Sequence, residues 1–275
     1  MPLHIIVLIK QVPDPNGFVG IKPDGTLDRE KGRSIINPYD KNALEAAFNI
    51  KEQYDTTITV LSMGPPKAED ALREALALGA DKAILLSDRK FAGSDTLATS
   101  YALSCAIKNL GCYNLILCGM EATDGNTGQV GPGVAERLGI PQLTYIEEIK
   151  FHENDIEAKR MLEGGYELVR VQIPALLTIT NTANEPRDTT FANVLKATKH
   201  SLTIWSASDI KADETKIGLG GSPTKLKKIA KAMSPRRKYV IEGETTDEVL
   251  DILLKKLDEE GINLGNLGDN IGARI

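Results

Sequence analysis

Apolar runs of strand length alternate along the first half of the chain with stretches of helical periodicity, and this alternation predicts most of the elements. His4–Lys10 (HIIVLIK) is a continuous apolar run followed by the turn-rich QVPDPNG, which predicts a buried parallel strand. After a charged, extended excursion, Pro38 stands at a helix start, and Ala43, Leu44, Ala46, Ala47 and Ile50 recur at helical spacing. Thr57–Gly64 reads as the second strand and Lys67–Ala80 as a helix ended by Gly79. Ala83–Ser87 is the third strand, and the helix after it opens at Ser94 as N-cap and closes at Gly111. Asn114–Gly119 is the fourth strand.

Strands separated by helices in this way predict an α/β fold: an open, mostly parallel, doubly wound sheet, Rossmann-like in its winding, with right-handed connections. Such sheets bind ligands beyond the carboxyl ends of their strands, near the point where strand order reverses. The loops after Lys10, Met63 and Gly119 are therefore the candidate site.

From about Gln142 the period changes. Apolar and polar residues alternate through Thr180 across segments broken at HEND and EGG, which predicts antiparallel hairpins forming an added small sheet rather than a further βαβ unit. Beyond Asn181 apolar runs are scarce until an amphipathic helix with Val249, Ile252, Leu253 and Leu257 on one face. A stretch as long as Asn184–Thr246 with so little core-forming pattern reads as an arm lying on a partner. The expected organisation is a domain over 1–200, with its α/β core over about 1–141, followed by a C-terminal arm and helix over 201–275.

Composition changes this picture little: 41% hydrophobic and 26% charged residues in a chain of 275 are those of an ordinary globular protein. A net charge of -5 argues against nucleic acid as a partner, and the basic run Lys225–Lys238 lacks the aromatics of a base-stacking platform. No apolar run reaches the roughly 18 residues of a membrane span, and the chain enters its first strand without a basic leader, so a cytoplasmic location is expected. Cys105, Cys112 and Cys118 form no CxxC pair and read as small apolar residues. His4, His152 and His200 show no ligand spacing, so no metal is expected. There is no G-x-G-x-x-G after the first strand, no P-loop and no nucleophile elbow. A redox role that leaves the chemistry to a cofactor fits these absences, and no side chain is assigned a catalytic role.

The strongest local feature is the glycine-rich stretch Gly119–Gly139, a strand-to-helix loop. In Thr123–Gln129 glycines would let backbone approach a phosphate, and the amides of the following helix start would supply donors. The same composition also suits a purely structural turn, so the loop alone leaves both readings open.

Ala158–Thr178 (AKRMLEGGYELVRVQIPALLT) resembles the signature of the electron transfer flavoprotein beta subunit family. Arg160, Glu163-Gly164-Gly165, Glu167, Val169, Pro174 and the pair Leu176-Leu177 before Thr178 carry the likeness. VLIKQVPD, INPYDKNALEAA, the segment Val60–Asp81 and NEPR (Asn184–Arg187) are similar to that family nearly end to end. The resemblance implies a heterodimer with an alpha subunit and a nucleotide in the α/β domain: structural AMP in the ordinary branch, or FAD reduced by NADH in the electron-bifurcating branch.

Within DGNTGQVGP, and at Tyr39-Asp40 after Asn37-Pro38, the likeness is closest to the bifurcating branch, whereas Asn126-Thr127-Gly128 departs from the Asp-Thr-Ala of many such members. By this resemblance the nucleotide is bound by Leu8, Ile9, Lys10, Asn37, Pro38, Tyr39, Asp40, Met63, Gly64, Gly119, Met120, Glu121, Ala122, Thr123, Asp124, Gly125, Asn126, Thr127, Gly128, Gln129, Val130, Gly131, Pro132 and Gly133. Main-chain groups of Leu8–Lys10 and Met63 would meet the adenine, and Thr123–Gln129 the phosphates. Electrons from NADH would divide between a low-potential acceptor, ferredoxin or flavodoxin, and the alpha-subunit flavin. That flavin serves a flavin-dependent dehydrogenase, which would dock on Asn184, Glu185, Pro186, Arg187, Phe191 and Leu195. Phe191 is the expected apolar anchor, the alternative being that it packs under its own loop. The competing reading from another class is a non-redox, ATP-binding module of the stress-protein type.

Overall fold

The computed structural model describes residues 2–14, 20–21, 27–28, 33–152, 155–225 and 239–262, and the chain divides into two compact units, 1–229 and 230–275. In the first, β1 (Leu3–Leu8) leads to β2 (Gln11–Pro13), the two-residue strands β3 (Gly20–Ile21) and β4 (Leu27–Asp28), and β5 (Ser34–Ile36). Then come α1 (Pro38–Lys51), β6 (Thr56–Met63), α2 (Glu69–Leu78), β7 (Lys82–Leu86), α3 (Thr96–Leu110), β8 (Leu115–Gly119) and α4 (Val130–Leu138). The unit continues with β9 (Gln142–Phe151), β10 (Asp155–Leu162), β11 (Gly165–Gln172), β12 (Ala175–Ile179), α5 (Phe191–Lys199) and β13 (Thr203–Trp205). The second unit holds α6 (Thr246–Glu259), where Thr245 caps the Glu248 amide and Glu248 reaches back to the Glu244 amide.

One nine-stranded sheet runs β11-β10-β9-β12-β8-β1-β6-β7-β13, parallel from β9 to β13. The doubly wound arrangement follows from alternation along each buried strand. Ile5, Val7 and Ile9 join the core under α1 and α2, whereas Ile6 and Leu8 join the core under α3 and α4. From β1 the chain winds outward through β6 and β7, then returns to place β8 on the other flank of β1, which makes the β1–β8 boundary the switch point.

Three expectations change. The antiparallel hairpin β10–β11 is present, but it is continuous with the main sheet through β9 rather than a sheet apart. Ala175–Ile179 is a fully buried parallel strand between β8 and β9, as its unbroken apolar run befits. Residues 201–225 belong with the first unit: β13 extends the sheet beside β7, and Ala207, Ile210 and Ile217 bury singly against the α3 side of the core. Isolated apolar residues in polar surroundings carry no period, which is why this stretch reads as an arm. The basic run from 226 to 238 lies outside the described residues. Among the described residues no helix is long and apolar enough to cross a membrane.

Candidate functional site

The carboxyl ends of β1, β6, β7 and β8 converge on a cavity of about 950 Å³. Leu8, Ile9, Lys10, Asp40, Met63, Gly64, Gly119, Met120, Glu121, Ala122, Gly125, Thr127, Gly128, Gln129, Val130 and Gly131 line it. The loop Ser87–Thr96 after β7 forms a further wall that sequence reasoning passed over. The strand-end rule applied to Ala83–Ser87 would have found it.

The start of α1 organises both principal walls. Asn37, a fully buried residue before the helix, caps nothing in α1; its Nδ2 donates to Glu121 O (2.8 Å) and its Oδ1 accepts from Thr123 N (3.1 Å), pinning the glycine-rich loop. Asp40, in the first turn, accepts from Lys10 N (2.7 Å) and Gly119 N (2.9 Å). Thus Asn37, Pro38 and Tyr39 support the cavity from outside its lining, and Thr123, Asp124, Asn126, Pro132 and Gly133 are also absent from the lining. Lys10 is also less available than expected for adenine, since its N–H is held by Asp40 and its carbonyl accepts from Asn37 N at 2.8 Å.

The loop itself is a compact turn. Gly125 N and Asn126 N both donate to Ala122 O (3.1 and 2.7 Å), Asn126 and Gly128 take left-handed φ values of 48° and 61°, and α4 then begins at Val130. Asparagine and glycine are the residues that tolerate that backbone. Further along, Gly131 lets α4 press on the sheet, where a Cβ would meet Cys118 Sγ at 2.9 Å and Thr178 Cγ2 at 3.0 Å. Gly133 allows a like approach to Ser100 on α3.

Electrostatically the mouth carries one ion pair, Lys10 Nζ to Asp124 Oδ1 at 2.7 Å. On the floor, burial pushes the Asp40 carboxyl up to about 7 against the opposing pull of the Lys10 and Gly119 amides. Burial and the neighbouring Asp40 likewise raise the Cys118 thiol, keeping it neutral. On the β7 wall, Asp95 caps α3 through Leu97 N and Ala98 N, and its other oxygen accepts from the Thr224 amide and hydroxyl. Asp95, not the expected Ser94, is the N-cap; the Ser94 hydroxyl instead donates to Phe91 O and accepts from Gly218 N. Burial acts to raise the Asp95 carboxyl, but the bonds from Thr224, Ala98 and Leu97 outweigh it and hold the group below its usual range.

A mostly apolar lining set with small polar side chains, backbone amides, an open position at Gly125, where a Cβ would meet nothing within 4 Å, and a nearby ammonium fit an adenine nucleotide with phosphates. Among the described residues no cluster of His, Cys, Asp and Glu could hold a metal.

The segment expected to dock a partner divides in two. Asn184 exchanges hydrogen bonds with Asn42, and Arg187 is gripped by Glu45, so both face α1. Glu185 and Pro186 are exposed between them. Phe191 is 79% and Leu195 49% exposed on α5, so Phe191 does not pack under its own loop.

Residues 24–210 match the electron transfer flavoprotein domain family. The chain is 45% identical over 263 residues to the electron transfer flavoprotein subunit beta of Clostridium acetobutylicum, covering 94% of this chain and 99% of that protein. It is 44% identical to subunit CarD of the caffeyl-CoA reductase-Etf complex of Acetobacterium woodii, over 94% of this chain and all of CarD. It is also 44% identical to protein FixA of Azorhizobium caulinodans, over 82% of this chain and 84% of FixA.

Proposed function

The chain belongs to the electron transfer flavoprotein beta subunit family, and from that premise we propose that its cavity holds FAD, within a heterodimer with an alpha subunit that oxidises NADH and bifurcates the electrons. The carrying observation is size: about 950 Å³ lies at the upper end of ordinary ligand cavities, and the Ser87–Thr96 wall extends it well past the glycine-rich loop. AMP is the smaller alternative occupant. Two relatives lend support by their names: CarD belongs to a caffeyl-CoA reductase-Etf complex, and a 42% identical protein of Anaerotignum propionicum is an acryloyl-CoA reductase electron transfer subunit.

When bound, FAD supplies the redox chemistry, taking two electrons from NADH and releasing them singly toward ferredoxin or flavodoxin and toward the alpha-subunit flavin. The chain's own residues bind and orient. Amides at the start of α4 and those of Thr127, Gly128 and Gln129 would meet the diphosphate, with favourable field from the helix end. The Lys10 ammonium sits at the mouth to offset phosphate charge, and Leu8, Met63 and Val130 supply apolar lining. Phe191 and Leu195 would meet a flavin-dependent dehydrogenase.

The test is to co-express the chain with its alpha subunit and count nucleotides. Two FAD per heterodimer, both bleached by NADH, is the expected result. One FAD with one AMP and no NADH reaction would make the beta-site nucleotide structural and defeat the bifurcation reading; tight ATP without flavin would revive the stress-protein reading.

A further inference from the structure

The β1–β8 ladder ends at Leu8 opposite Cys118, and just past it two amides need partners that neither strand supplies. One side chain takes both: Asp40 Oδ2 accepts the Lys10 N–H at 2.7 Å and Oδ1 accepts the Gly119 N–H at 2.9 Å. Asp40 as a whole is only 6% exposed. Gly119 is part of the same arrangement, because a Cβ there would lie 2.6 Å from Asp40 Oδ1. Asn37, three positions earlier, holds the continuing loop at Glu121 and Thr123. The first turn of α1 thus fixes how far the β1 wall stands from the β8 wall, across the switch point where the cavity opens.

Such a clamp depends on its proton. An ionised carboxylate offers an acceptor oxygen to each amide; a protonated one converts an oxygen to O–H, and one amide loses its charge-assisted partner. The groups facing Asp40 define its balance. From the β1 end comes the Lys10 ammonium, largely committed to Asp124. From β8 comes the Cys118 thiol, neutral, and from the turn before α1 the Asn37 amide. With burial dominant, the carboxyl titrates near neutrality.

We propose that Asp40 is the positioning residue that sets the spacing between the β1 and β8 walls, and that proton uptake by its carboxyl loosens nucleotide binding. The ligand half of this inference rests on the nucleotide reading above; the clamp half does not.

Two measurements on the heterodimer, stripped of its beta-site nucleotide, test it. The first is FAD affinity, FAD being chosen because its diphosphate stays fully ionised from about pH 5.5 to about pH 8.5, unlike the phosphate of AMP. Affinity should fall about tenfold on acidification across that range, the size of losing part of one charge-assisted bond. D40N, which turns an N–H donor toward one of the amides, should bind weakly at every pH. A flat wild-type profile, or the same slope in D40N, overturns the proposal.

The second measurement needs no ligand: intrinsic-rate-corrected hydrogen exchange at the Lys10 and Gly119 amides. Protection of at least one should drop as pH falls through about 7 in the wild type and be low throughout in D40N. Unchanged protection overturns the clamp. Should FAD bind at no pH, the nucleotide reading fails, and the exchange result still decides the clamp.

Discussion

Arg187 grips Glu45 with two parallel hydrogen bonds, Nε to Oε2 and Nη2 to Oε1, each 2.8 Å, while its guanidinium lies 5.0 Å over the Phe48 ring. Glu45 sits on α1, five positions after Asp40 closes the cavity floor; Arg187 begins the segment that carries α5. Burial acts to raise the Glu45 carboxyl, but the Arg187 bonds outweigh it and hold the group below its usual range. Those same bonds raise the Arg187 guanidinium further.

Arg187→Ala should therefore destabilise the protein by about 2 kcal/mol, toward the low end for a buried pair because the Arg187 side chain is 35% exposed. Thermal unfolding should show a midpoint lower by about 4–8 °C. Because Glu45 is depressed in the folded state, the pair's contribution is present above the ordinary glutamate range and is lost as pH falls through the lower folded value. Arg187→Ala should accordingly flatten the acid limb of stability measured below about pH 5.

Gly131→Ala tests the packing of α4 on the sheet. Its Cβ would stand 2.9 Å from Cys118 Sγ and 3.0 Å from Thr178 Cγ2, both on buried strands that cannot give way cheaply. A loss of about 1–3 kcal/mol in urea unfolding is expected. A neutral result would mean that α4 shifts freely.

The elements that organise the site were legible to very different degrees. Strands such as Ile5–Leu8 and Leu115–Cys118 are unbroken apolar runs, so β1 and β8 follow from pattern alone, whereas the switch point between them needs the strand order, which pattern does not give. Nor does it give what joins them. Asp40 and Asn37 are polar residues in a helix start, and nothing in their spacing says that their side chains leave the helix to hold Lys10, Gly119, Glu121 and Thr123. Residues 206–224 were illegible for a related reason: Ala207, Ile210 and Ile217 bury one at a time, fixed by long-range bonds such as Thr224 to Asp95.

The buried Asp40 carboxyl should leave a mark on global stability. Its folded value is raised above 3.8 to about 7, so the native state binds the proton more tightly than the unfolded chain does. Stability from this group is full below the unfolded value and is lost as pH rises through about 7, with a slope approaching about 1.4 kcal/mol per pH unit between the two. Comparing urea unfolding of the wild type and D40N at about pH 5 and about pH 7.5 isolates it, because D40N lacks that slope. Parallel profiles would show that the carboxyl is not buried as described.

Phe191 and Leu195 present their apolar surface outward from α5, which is held to the body by Ala197 and by Arg73 reaching the Ala197 carbonyl at 3.0 Å. Truncating Phe191 to alanine should leave stability within about 0.5 kcal/mol, since little of it is buried, and truncating the half-buried Leu195 should cost about 1 kcal/mol. If α5 docks the dehydrogenase, each change should slow electron transfer to it about tenfold or more, with flavin content unaltered. Equal transfer rates would move the docking surface elsewhere.

Gly125 and Gly128 separate the loop's shape from its space. Gly128 takes φ +61°, and a Cβ there would lie an ordinary 3.4 Å from Met120 O, so Gly128→Ala strains the backbone by about 1 kcal/mol and should loosen the turn without blocking the cavity. Gly125 lines the cavity, and a Cβ there would meet no protein atom within 4 Å. Gly125→Val should therefore leave unfolding almost unchanged while its methyls take up cavity space that the proposed nucleotide's phosphate would need. Titrating FAD and AMP against both variants in the heterodimer gives the contrast. Gly125→Val should weaken both ligands far more than its effect on stability accounts for, about a hundredfold if one close phosphate–amide contact is lost. Gly128→Ala should weaken stability and affinity together. Were Gly125→Val to bind as the wild type does, the phosphates would lie away from this turn, and the Ser87–Thr96 wall would be the place to look for them.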